Sequence, residues 1–510
     1  MKLYVKDVEI TTGGTLIVIL NQKDSCILDL HPLDRVLIKH NKHKTIAVLD
    51  ITTNPHTVPE GYIGVFEEVI SKLNVKSGDE VEISFAKKPQ SVQYIKEKLD
   101  GKTLTDTQID AIVHDIVHDE LTESEVSYFV AASYTHTMSD METVALTKSI
   151  VKHGGSVTIG NKSILDKHCT GGVAGNRTTM CLVPIIIAAG LTMPKTSSRS
   201  ITSPAGTADT MEVLAPVTLS TQKMSQIAKR VGGFIAWGGG ANLASADDKL
   251  IRVRQALCLD PEAMLLSSIL AKKAAVHATH VLIDIPIGPH TKIKTYKDAL
   301  HLKAHFVKLG KMLGMTCHVL ITDGSQPIGN GIGPALEARD ALYILRRDPR
   351  QPRDLETKVL MMATTLLKIA GKKNPSQLAK HILESGAAYT KMQEIIKAQG
   401  GEAHIHPTSI PLGPYTQSIK APRRGTITMI NNEIISHIAR IAGAPTDKGA
   451  GIYLHKHVGD NVSKGEPIFT IYAHTKHKLE FAYSINSHMP AVLINKKPSV
   501  EIRFDRLVHE

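Results

Sequence analysis

Two polar turns, residues 166–179 and 195–209, most constrain what this chain can fold into. Each follows a short strand-like segment and precedes a helix-like segment, and an apolar run of helical length, residues 180–191, joins them. A helix N-terminus presents unpaired N–H groups, glycines let the backbone approach an anion, and Lys or Arg neutralises the charge. The turns therefore predict neighbouring sites for an anion and for a second, polar substrate.

A glycine-rich turn by itself is also typical of a tight strand-to-helix connection. The first turn reads Lys-His-Cys-Thr-Gly-Gly-Val-Ala-Gly-Asn-Arg-Thr-Thr from Lys167. It is not a Walker A loop, because Asn176-Arg177 stands where Gly-Lys would be needed. The combination of Lys-His, clustered glycines and a later Ser/Thr-rich turn favours anion binding over a plain connection.

These residues resemble the thymidine/pyrimidine-nucleoside phosphorylase family, in its longer form that includes AMP phosphorylases. The family's phosphate loop, Lys-His-Ser/Thr-x-Gly-Gly, corresponds to residues 167–172, with Cys169 at a hydroxyl position. Its second signature, Ser-x-Arg followed by Gly-Thr-x-Asp and a Glu, corresponds to Ser197, Arg199, Gly206, Thr207, Asp209 and Glu212. The resemblance extends from about Ser91 towards the C-terminus, and the first part of the chain matches only the longer subfamily.

The chain of 510 residues is long enough for several domains. Alternating apolar residues predict strands first, a helical period begins after Pro89, and strand–helix alternation follows. Thr105 and Thr122 are expected helix N-caps, and residues 220–231 are expected to form a helix. These patterns predict an α/β multidomain fold: a β-rich domain (1–89), an all-α helical domain (90–155, with a return segment at about 245–275), a central α/β domain (156–415) and a C-terminal α+β domain (416–510). The resemblance implies that the central domain is a glycosyltransferase domain like that of class II nucleoside phosphorylases.

Composition narrows the class of protein. The formal net charge of +11 suits an anionic ligand, while the aromatic content of 4% and the absence of a concentrated Lys/Arg run argue against nucleic-acid binding. Five scattered cysteines without zinc-type spacing predict reduced thiols, a cytoplasmic location and no metal site. The longest apolar run contains Pro184 and Gly190 and is short for a membrane span. We therefore expect no membrane association.

The resemblance implies roles for the residues of the two turns. Inorganic phosphate, the co-substrate, is expected to bind Lys167, Cys169, Gly171, Gly172, Thr179, Ser197 and Thr207. The second substrate is expected to bind Gly172, Ser198, Arg199, Ser200, Ile201, Thr202, Ser203 and Thr207. Cys169 departs from the family pattern, and a thiol is a poorer donor than a hydroxyl.

Further candidates lie downstream. Ser268 and Lys272 are four residues apart on one predicted helix face and match the family's base-binding pair, although a lone Lys on a helix is more often solvated. Arg252 is the expected base-binding arginine, with Arg254 as the other possibility. Lys292 corresponds to a second phosphate clamp in the AMP-acting subfamily.

Two residues compete for the catalytic role of proton donor. The resemblance assigns it to Asp260, which reads equally as a helix N-cap before Pro261 and would need burial to raise its pKa. His168 is the rival, because the intrinsic pKa of an imidazole suits the task.

The resemblance implies an enzyme, a pentosyltransferase of nucleoside salvage, with thymidine phosphorolysis to thymine and 2-deoxyribose 1-phosphate as the first expectation. The alternative is AMP phosphorylase-type cleavage of a nucleoside 5′-monophosphate to a base and ribose 1,5-bisphosphate. More remote alternatives are a phosphoribosyltransferase and a nucleic-acid-binding protein. We expect no cofactor, no nucleic-acid or membrane partner, and a homodimer or higher homo-oligomer.

Overall fold

The computed structural model describes residues 1–160, 163–200, 203–243 and 245–495. They form two compact units. The first unit comprises Met1–His153 and Ser245–Ser268, and the second comprises Gly154–Ala244 and Ile269–Glu510, in each case for the residues described. The four domain boundaries expected from the sequence remain a prediction.

The N-terminal part of the first unit is a closed barrel with strand order β1-β5-β2-β4-β3-β6. Alternate residues such as Leu3, Val5, Val18 and Leu20 are buried inside it, as a strand period of two requires. The strands are β1 Lys2–Asp7, β2 Ile17–Asn21, β3 Arg35–His40, β4 His43–Thr52, β5 Tyr62–Val65 and β6 Glu80–Phe85, with helices α1 Gln22–Ile27 and α2 Glu67–Leu73.

Helices complete the first unit. Thr105 and Thr122 each accept a hydrogen bond from the third helical N–H and form capping boxes with Gln108 and Glu125, which confirms both predicted N-caps. The helices are α3 Ser91–Leu99, α4 Asp106–Val117, α5 Glu123–Thr135, α6 Asp140–Lys152, α10 Ser245–Ala256 and the first part of α11 Glu262–Ala274.

Parallel strands organise the second unit. Strands β11, β10 and β7 pair in that order, and β8 pairs with β9. A parallel bridge between Ile164 and Thr192 joins the two groups just before β7 and β8. The strands are β7 Leu165–Cys169, β8 Met193–Ser197, β9 Gly233–Trp237, β10 His280–Ile287 and β11 Thr316–Asp323. This arrangement places the ends of β7 and β8, and so the starts of the two polar turns, side by side.

Helices follow these strands. The predicted helix at 220–231 is confirmed as α9, with the Ser220 side chain as its N-cap. The helices are α7 Thr178–Ala188, α8 Thr207–Met211, α9 Thr221–Val231, the end of α11, α12 Tyr296–Met312, α13 Pro334–Leu345, α14 Arg353–Ile369, α15 Pro375–Glu384 and α16 Ala387–Gln399.

The C-terminal part of the second unit contains two small sheets with strand orders β12-β15-β17-β13 and β16-β14-β18. The apolar core of this part buries Ile427, Ile438, Phe469 and Ile471. The elements are β12 Gly331–Ile332, β13 Tyr415–Lys420, β14 Gly425–Ile430, α17 Asn432–Ile441, β15 Gly451–Leu454, β16 Asn461–Val462, β17 Pro467–Ala473, α18 Lys476–His488 and β18 Val492–Asn495. In the part of the chain that the structure describes, no helix is both long and apolar enough to cross a membrane.

Buried Asp340 makes the stability of the protein depend on pH. Its Oδ2 accepts the N–H groups of Asn330 and Gly331 at 2.7 Å each, and burial, reinforced by nearby carboxylates, raises its pKa from 3.8 to about 7. Between about pH 4 and pH 7 the folded state keeps a proton that the unfolded chain loses. We therefore expect the free energy of unfolding to fall as pH rises through this window, by on the order of 4 kcal/mol from this group.

Urea unfolding at several pH values measures this effect. The matched variant Asp340→Asn keeps an oxygen acceptor for both N–H groups but has no proton to lose. Its free energy of unfolding should change less between about pH 4 and pH 7 than that of the unmodified protein. If the free energy of unfolding changed equally with pH in the two proteins, Asp340 would not be the source of the effect.

Candidate functional site

Both predicted anion-binding turns begin at the carboxyl ends of neighbouring parallel strands. The first leaves β7 after Cys169 and enters α7 at Thr178, and the second leaves β8 after Ser197 and enters α8 at Thr207. In open α/β sheets, ligands bind outside this edge of the strands. The predicted strand–turn–helix order is thus observed twice, in the second unit.

Buried charges underlie the two turns. Asp166, fully buried at the start of β7, pairs with Lys273 at 2.6 Å and with Lys195 at 3.5 Å. Lys195 Nζ also donates to the carbonyl oxygen of Lys167 at 2.6 Å, and this hydrogen bond links β8 to β7. Burial lowers the pKa of Lys195 well below its usual value, although Asp166 opposes the shift. One buried carboxylate thus pairs with two buried lysines on the strands from which the turns begin and on α11.

Lys167 is 2% exposed at the head of the first turn. Its Nζ donates to Thr178 Oγ1 at 2.9 Å and lies 3.7 Å from Asp284 Oδ2. Burial lowers the pKa of Lys167, and the Asp284 carboxylate counteracts the shift. The ammonium group is therefore positioned at the N-terminus of α7, where an anion would also be stabilised by the helix.

Asp284, the carboxylate partner of Lys167, was not predicted from the sequence. Its carboxylate lies 3.2 Å from Lys358 Nζ and accepts the Thr322 hydroxyl at 2.6 Å. Burial acts to raise the pKa of Asp284, but Lys358 and Lys167 outweigh it and hold the pKa at about 2. A single aspartate within the otherwise apolar segment 281–287 was the available signal, since an isolated buried charge needs a partner.

His168 is half-buried beside these lysines. Burial lowers its pKa well below 6.5, and the positive charges of Lys273, Lys195, Lys272 and Lys167 lower it further. The imidazole is therefore neutral near pH 7. It carries one N–H donor and no positive charge.

Cys169 acts within the turn as an acceptor. Its Sγ receives the Gly171 N–H at 3.4 Å and the Asn176 side-chain amide at 3.3 Å. Burial raises the pKa of the thiol, and so does the neighbouring Asp284 carboxylate, so the sulfur stays protonated. Its expected role in binding phosphate remains a prediction, but these contacts show that it shapes the turn.

Gly172 brings the first turn against a third one. Its φ is +90°, and a Cβ atom there would lie 2.7 Å from the backbone nitrogen of Lys292 and 2.9 Å from Cα of Thr291. Only glycine permits both this backbone conformation and this close approach. The exposed Lys292 is thereby placed in a turn that packs on the predicted phosphate loop.

Arg199 is held firmly in the second turn. Its guanidinium donates to both oxygens of Glu212, at 2.8 and 2.6 Å, lies 3.3 Å from Asp209 and stacks 4.8 Å from the centre of the Trp237 ring. Asp209 also accepts the N–H groups of Ser200 and Gly206, at 2.7 and 2.8 Å. Arg199, Asp209 and Glu212 therefore hold the two ends of the second turn together.

Hydroxyl groups of the other predicted residues in the second turn bond to backbone carbonyls of the same turn. Ser197 Oγ donates to the Ser198 carbonyl at 3.2 Å, and Ser203 Oγ donates to the Ala205 carbonyl at 3.0 Å. Ser200 Oγ donates to the Ser203 carbonyl. The predicted residues Ile201 and Thr202 lie outside the described part of the chain.

Arg177 bridges the two turns. It forms an ion pair with buried Glu337, donates to the Ala205 carbonyl at 2.5 Å and approaches Thr207 Oγ1 at 3.5 Å. Thr179 and Thr207, both expected to bind phosphate, are buried in the first turns of α7 and α8. The Arg177 guanidinium thus links the first turn to the second.

The remaining candidates belong to the first unit, except Lys272. Asp260 is exposed and forms an ion pair with Arg254, so the burial expected for a proton donor is absent. Arg252 instead approaches the Gly13 carbonyl, so Arg254 is the arginine beside Asp260. Ser268 donates to buried Asp247 at 2.8 Å. Lys272 follows Ser268 by four residues within α11 and is half-buried.

Comparison with known families agrees with this layout. Residues 92–154 match the helical bundle domain of a glycosyl transferase family, residues 161–389 match the α/β domain of that family, and residues 426–488 match the pyrimidine nucleoside phosphorylase C-terminal domain. The predicted fold class, with helical, α/β glycosyltransferase-type and C-terminal domains, is confirmed.

Several curated proteins are similar over most of the chain. The AMP phosphorylase of Pyrococcus furiosus is 42% identical over 97% of this chain and 98% of its own, and that of Thermofilum pendens is 40% identical over 97% and 95%. The putative thymidine phosphorylase of Legionella pneumophila strain Corby is 43% identical over 88% and 86%.

A solved structure shares the fold of part of this chain. Anthranilate phosphoribosyltransferase (TrpD) from Thermus thermophilus aligns with a TM-score of 0.51 and 16% identity, covering 60% of this chain and 98% of that one. At this identity the likeness concerns the fold alone. The matched domains and the relatives together show that this chain belongs to the nucleoside phosphorylase family, whose members include proteins named thymidine and AMP phosphorylases, and that it is a pentosyltransferase-type enzyme.

Proposed function

We propose that this protein cleaves the N-glycosidic bond of a nucleoside 5′-monophosphate with inorganic phosphate. The products are the free base and ribose 1,5-bisphosphate. The observation that carries the proposal is the Lys292 turn packed on Gly172, because it adds a cationic side chain next to the predicted phosphate loop. The similarity to AMP phosphorylases over 97% of the chain supports the same substrate class.

The reaction needs no protein nucleophile. A phosphate oxygen attacks C1′, the C1′–O bond forms, the C1′–N bond breaks, and its electron pair leaves with the base. Lys167 and the N–H groups at the start of α7 position the attacking phosphate, which lowers the entropic part of the activation barrier. Lys292 would bind the 5′-phosphate.

The departing base needs stabilisation of its negative charge. We assign Ser268 and Lys272, one helical turn apart on α11, as donors to its acceptor atoms. His168 contributes an N–H hydrogen bond from its neutral ring. We assign proton donation to Asp260, whose carboxyl group must take up a proton and leave Arg254 before it acts.

Thymidine is the second candidate substrate, favoured by the Legionella relative that is 43% identical. Thymidine was the first expectation from the sequence. The relatives that match over 97% of this chain are named AMP phosphorylases, and these names favour the nucleotide instead. Incubation with phosphate and a panel of AMP, CMP, UMP, uridine and thymidine, followed by chromatography of the released base, decides between them. Base release from thymidine but from none of the nucleotides would overturn the proposal.

Replacing Lys292 with alanine tests the proposed recognition of the 5′-phosphate. We expect kcat/KM for AMP to fall about 10- to 100-fold, because one charge-assisted hydrogen bond contributes roughly 1.5–3 kcal/mol. Activity towards adenosine or uridine, where detectable, should not change. The matched variant Lys294→Ala, at an exposed lysine two residues away, should keep full activity towards AMP. An equal loss for nucleotide and nucleoside would contradict the role of Lys292.

A further inference from the structure

A pocket of about 490 Å³ lies inside the first unit. One wall comes from the outer surface of the barrel and from α2, and the other comes from α4, α5 and α10. Leu16, Ile46, Val48, Ile116 and Val253 give it an apolar lining. Protein interiors are close-packed, and small-molecule sites occupy roughly 300–1,000 Å³. This pocket therefore has the size and lining of a ligand site.

Two lysines share one aspartate in the wall of the pocket. Lys72 and Lys249 both form ion pairs with Asp119, and Lys249 also donates to the carbonyl groups of Ile116 and Val117. Burial lowers the pKa of each lysine to about 8, and repulsion by neighbouring cations contributes, Lys249 acting on Lys72 and Arg252 acting on Lys249. Two ammonium groups thus face one carboxylate, and an additional anion would relieve their repulsion.

Other carboxylates of the wall are already engaged or exposed. Glu68 accepts the Thr11 hydroxyl at 2.7 Å and the N–H groups of residues 12–14 at 2.9–3.2 Å. These bonds, that of Thr11 above all, lower its pKa to about 2. Glu123 accepts a hydroxyl hydrogen bond at 3.2 Å, and Glu67 is exposed. Lys72 and Lys249, which share the carboxylate of Asp119, are therefore the groups of the wall best placed to bind an anion.

Helix α10 connects the pocket to residues assigned to the reaction. Lys249, Arg252 and Val253 of this helix line the pocket. The next residue, Arg254, forms the ion pair with Asp260. A ligand that contacts α10 would therefore bias the position of a residue paired with the assigned proton donor.

We propose that this pocket binds a small organic anion, with one phosphate, sulfonate or carboxylate group on an apolar or aromatic body, and that its occupancy changes the rate of the reaction through α10. The ammonium groups of Lys72 and Lys249 bind the anionic group, and the apolar lining contacts the body of the ligand. The binding site stands on the pocket alone, and the effect on the rate rests on the proposed function.

Fluorescence titration of the full chain with 8-anilinonaphthalene-1-sulfonate, an anion with an aromatic body, tests the binding site. We expect Lys72→Met to weaken binding about tenfold, which corresponds to the loss of one charge-assisted contact. Ser71→Trp, at a position that lines the pocket, should fill the space and abolish binding. The control Lys44→Met removes an exposed barrel lysine that does not line the pocket and should bind normally. Equal binding by all four proteins would overturn the proposal.

Kinetics tests the effect of occupancy. With the probe at saturation, kcat/KM for AMP should change by at least about fivefold in the unmodified protein and not at all in Ser71→Trp. An equal change in both proteins would place the probe elsewhere, and no change in either would overturn the link through α10. Because the fluorescence titration needs no turnover, failure of the proposed function would leave the binding result interpretable.

Discussion

Replacing Lys167 with alanine should reduce kcat/KM for phosphorolysis by about 10²- to 10³-fold, the usual cost of removing one preorganised donor from a charged transition state. The ammonium group is held by Thr178 Oγ1 at 2.9 Å at the N-terminus of α7. Its removal takes away a positive charge that the helix N–H groups alone do not replace. The rate of base release, measured at several phosphate concentrations, gives the change in kcat/KM.

Lys380→Ala is the matched control, because this exposed lysine forms a long surface ion pair with Glu384, at 3.7 Å. Its activity should not change. We expect the Lys167 variant to fold, since Asp284 keeps Lys358 as a partner at 3.2 Å, and circular dichroism checks this. Calorimetric titration of the folded variant with inorganic phosphate then measures the loss of binding. If a folded Lys167→Ala protein releases base at the unmodified rate, the phosphate assignment is wrong.

Replacing Asp166 with asparagine should lower the free energy of unfolding by about 3–5 kcal/mol, the typical cost of breaking a buried ion pair from one side. The variant leaves Lys273, 2.6 Å away, and Lys195, 3.5 Å away, as buried cations without this counter-charge. Both lysines are almost fully buried, so solvent cannot screen them. Urea unfolding followed by circular dichroism measures the loss.

Glu384→Gln makes the same carboxylate-to-amide change in an exposed pair and should cost less than about 1 kcal/mol. A loss of that size in Asp166→Asn as well would show that the buried lysines find other partners or lose their protons. It would also weaken the view that Asp166 maintains the positive charge beneath the two turns.

Local signals in the sequence were sufficient for much of the fold. Thr105 and Thr122 cap helices through bonds to groups three residues away, so their caps are visible in the sequence. The strand–turn–helix order around Lys167 and Thr207 is local in the same sense. By contrast, closure of the barrel and the pairing of β12 with β15, in register at Ile332 and Ile452, involve partners that no local pattern identifies.

For the site, the sequence by itself determined which residues stand in the two turns. It also predicted that these turns bind an anion, because glycines, hydroxyl groups and the Lys-His pair act on groups close to them in the chain. Only the tertiary structure showed that Lys167 faces Asp284, that Arg177 pairs with Glu337 and that Asp260 is exposed beside Arg254. Pairing and burial of charges depend on side chains that are distant in the chain and meet only after folding. The electrostatic character of the site is therefore a property of the packed structure.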